Sequence, residues 1–273
     1  MDEQGEASER EPTVELFEAA RAAARAASDL LAGARSTEIR GKSNPRDLVT
    51  EWDARSEELI RGVLEERAPG IPVLGEEGGG SAGNAPQRWL VDPIDGTVNF
   101  VHGLPLWSVS IALEVAGAIA LGVVAAPVLG WWFEATAGGG ARDGSGGALR
   151  VSRTPRLEQA LLSTGFPYDR ATNPDNNFAE WEYLQRHAGA CRRLGSASLD
   201  LCMVACGWLD GYWERQLQAW DLAAGALIAR EAGATVTALT GGPFDPYRGD
   251  VVAANDAIHG ELVAALARAR SRP

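Results

Sequence analysis

Lysine is almost absent from this chain of 273 residues: of its 25 basic residues, only Lys42 is not an arginine. A compact ammonium and a flat guanidinium are not interchangeable near a site. The lone lysine of Gly41-Lys42-Ser43-Asn44-Pro45 is therefore set apart as a candidate loop residue close to chemistry. Positive charge is scarce altogether, since 25 Lys and Arg against 37 Asp and Glu leave a formal charge of −12. Such a surface repels phosphate backbones, so nucleic-acid binding is not expected as the main function. A phosphorylated small molecule is still accessible to it where divalent cations reverse the local charge. Cysteine is sparse and odd in number (Cys191, Cys202, Cys206), which implies no disulfide framework and fits a reducing cytoplasm. His102, His187 and His259 are scattered, so Cys202 and Cys206, spaced i,i+4 on an expected helix, lack the partners zinc would need; they read as buried structural thiols.

Two further absences narrow the class. The opening Met1-Asp2-Glu3-Gln4-Gly5-Glu6 has neither the basic nor the apolar character of a secretory signal. Residues 115–133 carry no charge and are long enough to span a bilayer, but Gly117, Gly122, Pro127 and Gly130 interrupt them, and Glu114 and Glu134 flank them. Buried strands at 107–113, 118–125 and 131–136 explain the run better, and no membrane association is expected. There is no G-x-S-x-G elbow and no G-x-x-x-x-G-K-[ST] phosphate loop.

The length allows one large domain or two tightly packed ones, and helices and strands alternate, so a layered α/β fold is expected. Apolar spacing predicts helices over 14–34 and 54–66, the second with Asp53 as a candidate N-cap. Between them lies a polar turn holding Lys42 and Pro45. Strands follow at 71–74 and 89–91, separated by a glycine-rich loop at 78–83. Residues 138–147 read as a mobile or turn-rich connector. Beyond them, helices are expected at 177–187, 196–205, 220–232 and 257–269, with strands at 161–164, 211–214, 234–237 and 251–254. The expected organisation is a tail over 1–12, an α+β part over 13–154 carrying most of the site, and an α/β part over 155–273 completing it.

Carboxylates stand where apolar segments end: Glu76 and Glu77 after Val73-Leu74-Gly75, Asp92 and Asp95 after Trp89-Leu90-Val91, and Asp221 at the head of an apolar helix. Acids brought together there without basic partners repel one another, and hard divalent cations with oxygen ligands, such as Mg²⁺, resolve the conflict. Taken singly, Glu76-Glu77 reads as a solvated turn and Asp221 as a helix cap. Asp92-Pro93-Ile94-Asp95-Gly96-Thr97 resists so plain a reading, because it stacks turn formers with two acids and a hydroxyl. A short helix starting at Gly96-Thr97 would aim its amides at an anion.

The run from Trp89 to Pro105, with its core Asp92-Pro93-Ile94-Asp95-Gly96-Thr97, closely resembles the first signature of the inositol monophosphatase family. Trp220-Asp221-Leu222-Ala223-Ala224-Gly225, continuing to Glu231-Ala232-Gly233, resembles the second, and Gly75-Glu76-Glu77 resembles the acidic motif that precedes the first. The resemblance extends over nearly everything after residue 13. It implies a layered αβαβα sandwich and a Mg²⁺-dependent, lithium-sensitive phosphomonoesterase, cytoplasmic and homodimeric. Glu76, Asp92 and the Ile94 carbonyl would hold one Mg²⁺; Asp92, Asp95 and Asp221 would hold a second; a third, weaker ion would lie near Glu76. Thr97, oriented by Asp53 and aided by Glu76, would position the attacking water, and Asp95 with the Gly96 and Thr97 amides would meet the phosphate. Two ions about 3.5–4 Å apart suit an in-line displacement. Gly195, Ser196, Ala197 and Glu214 match the positions that contact the polyol; a surface Glu214 paired with Arg215 is the plainer reading.

The expected substrate is inositol monophosphate or a similar small polyol or sugar phosphate. Relatives acting on fructose 1,6-bisphosphate, adenosine 3′,5′-bisphosphate or histidinol phosphate keep the alternative open, with Arg170, Arg192 and Arg193 as candidates for a distal phosphate. A regulatory protein retaining the fold is the non-enzymatic alternative, since bacterial relatives bind transcription machinery; the filled ligand positions favour catalysis.

Overall fold

The computed structural model describes residues 14–36, 38–80 and 85–271; the expected tail over 1–12 and residues 81–83 of the glycine-rich loop lie outside them. The first helix, α1 (Val14–Leu31), buries Ala19, Ala20, Ala23, Ala24, Ala27 and Leu31 along one face, and these mostly small side chains let it lie close to its neighbours. The segment read as a polar turn is a hairpin, β1 (Ile39–Gly41) antiparallel to β2 (Leu48–Thr50), with Lys42 at the start of its tip. α2 (Glu51–Arg67) begins three residues earlier than expected, because Thr50 and not Asp53 is its cap. Asp53 sits at the third helical position, where its Oδ2 accepts from the Thr50 amide (2.8 Å) and hydroxyl (2.7 Å).

A six-stranded sheet follows in the order β3-β4-β5-β6-β7-β8: β3 (Val73–Gly75), β4 (Gln87–Asp95), β5 (Ser108–Val115), β6 (Ala118–Ala126), β7 (Trp131–Thr136) and β8 (Gly140–Asp143). Only the β3–β4 pair is parallel. The stretch expected to be a connector, 138–147, thus supplies the edge strand β8. The short helix α3 (Thr97–Val101) leaves the end of β4. A five-stranded sheet in the order β10-β9-β11-β13-β12 is built from β9 (Leu161–Thr164), β10 (Ala190–Arg192), β11 (Gly211–Glu214), β12 (Thr235–Thr237) and β13 (Val251–Ala254). The remaining helices are α4 (Phe178–His187), α5 (Ala197–Ala205), α6 (Ala219–Glu231) and α7 (Asp256–Arg270).

Five layers result. Trp89, Val91, Ile111 and Val123 pack under α1 and α2, while their alternates Leu90, Ala112 and Val124 face α5 and α6. α5 and α6 also meet the inner face of the second sheet, whose outer face is covered by α4 and α7. A sheet buried on both faces reads as continuously apolar, which accounts for the charge-free run at 115–133. Among the described residues no helix is long and apolar enough to cross a membrane.

The central layer depends on small residues. A Cβ on Gly122 of β6 would lie 2.8 Å from the Ala224 Cα of α6, and one on Gly225 would lie 2.9 Å from the Leu201 Cβ of α5. Backbone cannot yield as a side-chain tip can. Gly122→Ala is therefore expected to destabilise the fold by about 1–3 kcal/mol through overpacking, read as a lower urea midpoint at unchanged slope.

Candidate active site

Asp92 and Asp95 are three residues apart, a spacing that places side chains on opposite faces of a regular strand. β4 is irregular at this point. Asp92 pairs with Ser110 and Asp95 with Ser108, so three steps along β4 match two along β5. That extra residue makes a bulge between the two acids, where Pro93 has no amide to give to the ladder, and both Asp92 and Asp95 line the same cleft. Gly96 then turns at φ +95° to cap α3; a Cβ there would sit 3.0 Å from the Gly195 carbonyl oxygen.

Glu76 arrives from the end of β3, and its loop is held from beneath by a residue that the sequence reading passed over. The buried Glu57 carboxylate accepts from the amides of Glu77 and Gly78, both at 2.8 Å. Only glycine fits at 75 and 78, because a Cβ at either position would come within 2.6 Å of the Glu57 carboxylate. Asp221 stands at the third position of α6, where it accepts from the Gln218 amide at 2.7 Å. Lys42 reaches over from the hairpin. Its Nζ lies 2.7 Å from Glu76 Oε1 and also pairs with Glu77. The acids are thus not without a basic partner, as the sequence reading had them: the chain's one lysine sits among them.

Lys42, Glu76, Asp92, Asp95, Gly96 and Asp221 line one cleft of about 790 Å³, which also takes in Thr97, Gly195, Ser196, Ala197 and Glu214. Thr97 Oγ1 donates to Asp53 Oδ1 (3.0 Å) and lies 3.1 Å from the Ile94 carbonyl. Asp95 accepts from the Ser196 and Ser198 hydroxyls and the Ala197 and Ser198 amides at 2.6–3.2 Å. Ser198 was not foreseen. Glu214 is buried rather than a surface partner of Arg215, which instead pairs with Glu180 (2.6 Å) and Asp175. The Tyr212 hydroxyl donates to Glu214 Oε2 at 2.5 Å, and Gly165 makes room for its other oxygen.

The family model of the inositol monophosphatase family matches residues 13–272. An inositol-1-monophosphatase of Synechocystis sp. is 44% identical over 232 residues, covering 84% of this chain and 80% of that one. A Pseudomonas aeruginosa relative named Nus factor SuhB is 42% identical, covering 78% and 80%. The solved inositol monophosphatase of Anabaena (Nostoc) sp. superposes with a TM-score of 0.84 at 37% identity, covering 92% of this chain and 94% of that one.

The chain belongs to the inositol monophosphatase family.

Magnesium dependence is general in this family, and the donor set can be tested against it. Asp92 is held well above the usual carboxylate range, first by burial and then by repulsion from Glu76, Asp95 and Asp221. Asp221 is raised well above it by desolvation, with Glu76 and Asp95 adding to the effect. Burial also raises Asp95, Asp53 and Glu76, against hydrogen bonds from Ser198 and Ser196, from Thr50 and Thr97, and against Lys42, respectively. Four mutually repelling carboxylates, all hard oxygen donors, fit a hard divalent cation. Among the described residues no three His, Cys, Asp or Glu side chains are already gathered at ion-binding spacing. The hydrogen bonds explain why: Glu76 is turned to Lys42, Asp95 to Ser196 and Ser198, and Asp221 to the Gln218 amide. The Cys202 thiol is buried and pushed well up by desolvation, as an inert structural thiol should be.

Proposed function

We propose that this chain is a Mg²⁺-dependent phosphomonoesterase acting on inositol monophosphate or a similar small polyol phosphate. The observation that carries this reading is that Glu76, Asp92, Asp95 and Asp221 line one cleft with Thr97, whose hydroxyl the buried Asp53 holds. Glu76, Asp92, the Ile94 carbonyl, Asp95 and Asp221 are the residues that would hold magnesium, which when bound supplies charge neutralisation at the phosphoryl oxygens and a lowered pKa for water.

The protein's own groups do the rest. Asp53 takes the hydroxyl hydrogen of Thr97, which leaves the Thr97 oxygen lone pairs to accept from the attacking water and aim it. Glu76 is the acid placed to receive that water's proton once Lys42 shares its charge elsewhere. The start of α3, at Gly96 and Thr97, faces the phosphate position with backbone amides. Glu214, held by Tyr212, accepts from hydroxyls of the polyol. A cytoplasmic homodimer belongs to the same proposal and is checked by sedimentation of the purified chain.

Glu214 supplies the test. Burial pushes its carboxyl up to about 7, so near neutral pH it both gives and accepts hydrogen bonds. Glu214→Ala is expected to lower kcat/KM on inositol monophosphate by about 5- to 150-fold, equivalent to roughly 1–3 kcal/mol of transition-state binding. p-Nitrophenyl phosphate, which lacks those hydroxyls, should lose much less. Equal losses on both, with Mg²⁺ affinity intact, would mean that Glu214 does not read the polyol. The name of the Pseudomonas relative raises a regulatory role for that protein; here Glu76, Asp92, Asp95 and Asp221 all line one cleft, which supports catalysis.

A further inference from the structure

We propose that Arg270, in the last turn of α7, is a positioning residue for the substrate: through Asp175, Glu180 and Arg215 it fixes the wall of the cleft that presents Glu214 and Gln216. The inference rests on the phosphatase reading and adds to it a residue remote from the reacting groups.

The wall is built from two stretches that meet side by side. Glu214, Arg215 and Gln216 run off the end of β11, and all three line the cleft. The other stretch leads from β9 to α4. It starts at Gly165, where a Cβ would fall 1.9 Å from Glu214 Oε1. Asn177 closes it, donating to the Gly165 carbonyl at 2.7 Å and accepting from Trp213 Nε1 at 2.8 Å. Between these points Asn173 donates to Gln216 Oε1 at 3.0 Å, and Gln216 Nε2 donates to the Asp175 carbonyl at 2.9 Å. Gln216 needs such bracing, because it stands at φ +59°, a left-handed backbone that a residue with a Cβ rarely adopts. Asp175 is thus the point at which the wall can be gripped from outside.

Two arginines grip it. The buried Arg215 donates through Nη2 to Glu180 Oε1 at 2.6 Å and pairs through Nη1 with Asp175 Oδ1. Arg270 donates through Nε to the same Glu180 oxygen at 2.7 Å and pairs through Nη2 with the same Asp175 oxygen. Each of these acid oxygens therefore joins both guanidinium groups, and the four side chains form a closed ring of no net charge. Glu180 is buried on α4, whereas Arg270 is half-exposed. Without Arg270 two carboxylates would share one cation, and a buried acid left short of its partner is strongly destabilising. Relief comes most readily if Asp175, the half-exposed acid, swings out to water and takes its carbonyl away from Gln216. Glu214, next to Arg215 in the chain and packed on Gly165, would then lose its fixed place facing the polyol.

Arg270→Gln is expected to raise KM for inositol monophosphate by about fivefold or more, with a much smaller change in kcat. p-Nitrophenyl phosphate, which has no hydroxyls for Glu214, should show a KM change of about twofold at most. Arg270→Lys keeps the charge but not the planar fork and should recover part of the loss. The deciding variant is the double one. In a Glu214→Ala background, Arg270→Gln should change KM for inositol monophosphate by less than about twofold, because the group that it positions is gone. A merely structural role would instead lower the melting temperature, affect both substrates alike and add to the effect of Glu214→Ala. An unchanged KM, equal losses on both substrates, or additive losses in the double variant overturns the proposal. If the wild type releases phosphate from neither ester, the phosphatase reading fails by itself, and the wall is tested by calorimetric titration of inositol monophosphate with Ca²⁺ in place of Mg²⁺. There Arg270→Gln should weaken binding by about fivefold or more, and an unchanged affinity, or no binding to the wild type, overturns the proposal.

Discussion

Chelation with EDTA is expected to abolish phosphate release by this chain, and Mg²⁺ to restore it. The reason lies in the floor of the cleft, where Asp92 accepts from the Ile94 amide (3.0 Å) and has three acids as neighbours. The same feature ties stability to pH. Asp92 and Asp221 have raised folded values, so the stability they contribute is fully present below the ordinary carboxylate range and is lost as pH rises through their folded values. Without divalent ions, the melting temperature should therefore fall between mildly acidic and alkaline pH. Mg²⁺ should cancel most of that fall, and its stabilising effect should grow with pH. Full activity after exhaustive chelation, or a Mg²⁺-induced shift that shrinks with rising pH, would overturn the reading.

Asp92→Asn is expected to lower kcat/KM by on the order of 10³-fold or more, because under the proposed reading the change would remove a carboxylate that holds magnesium. The fold should survive. An amide oxygen can still accept from the Ile94 amide, and the side chain keeps its volume at a site only 2% exposed. A second effect has the opposite sign: with one of four repelling charges gone, the metal-free variant should melt above the metal-free wild type. The stabilisation by Mg²⁺ should shrink in parallel. Loss of activity with loss of structure would point to damage, whereas loss of activity with a more stable metal-free protein is the signature of a removed ligand. Normal turnover by Asp92→Asn would show that the ligand assignment is wrong.

Much of this site was legible because its parts are local. Asp92, Asp95, Gly96 and Thr97 fall within six residues, and the strand end, the turn and the short helix α3 can each be read from Asp-Pro and Asp-Gly. The long-range partners were less accessible. Glu57 looks like any acid on an amphipathic helix, and nothing in its neighbours says that its carboxylate will cap a loop twenty residues on. The two glycines that admit it, Gly75 and Gly78, were visible, but what they make room for was not. Tyr212, one strand alternate from Glu214, reads as core. Asp53 was placed one role too early, as the cap of α2, because the better cap at Thr50 lay inside a segment read as turn. The edge strand β8 was missed since Gly138-Gly139-Gly140 outweighs a four-residue strand in any local reading. The pairing of Lys42 with Glu76 and Glu77 spans 34 and 35 residues, and only the folded hairpin brings it about.

That pairing makes the amine chemistry of this molecule unusually simple. With one ε-amino group in the chain, acylation or reductive methylation of side-chain amines is a single-site reaction, and the site is the catalytic cleft. Glu76 and Glu77 outweigh burial and hold the ammonium above its usual range, so the group is a poor nucleophile while it is paired with them and a better one when those pairs break. The rate at which Lys42 takes up a label therefore reports how often its pairs with Glu76 and Glu77 are broken. Each substrate, cation or inhibitor that shifts that balance is read from one modified side chain, once the chain's α-amino group is resolved from it.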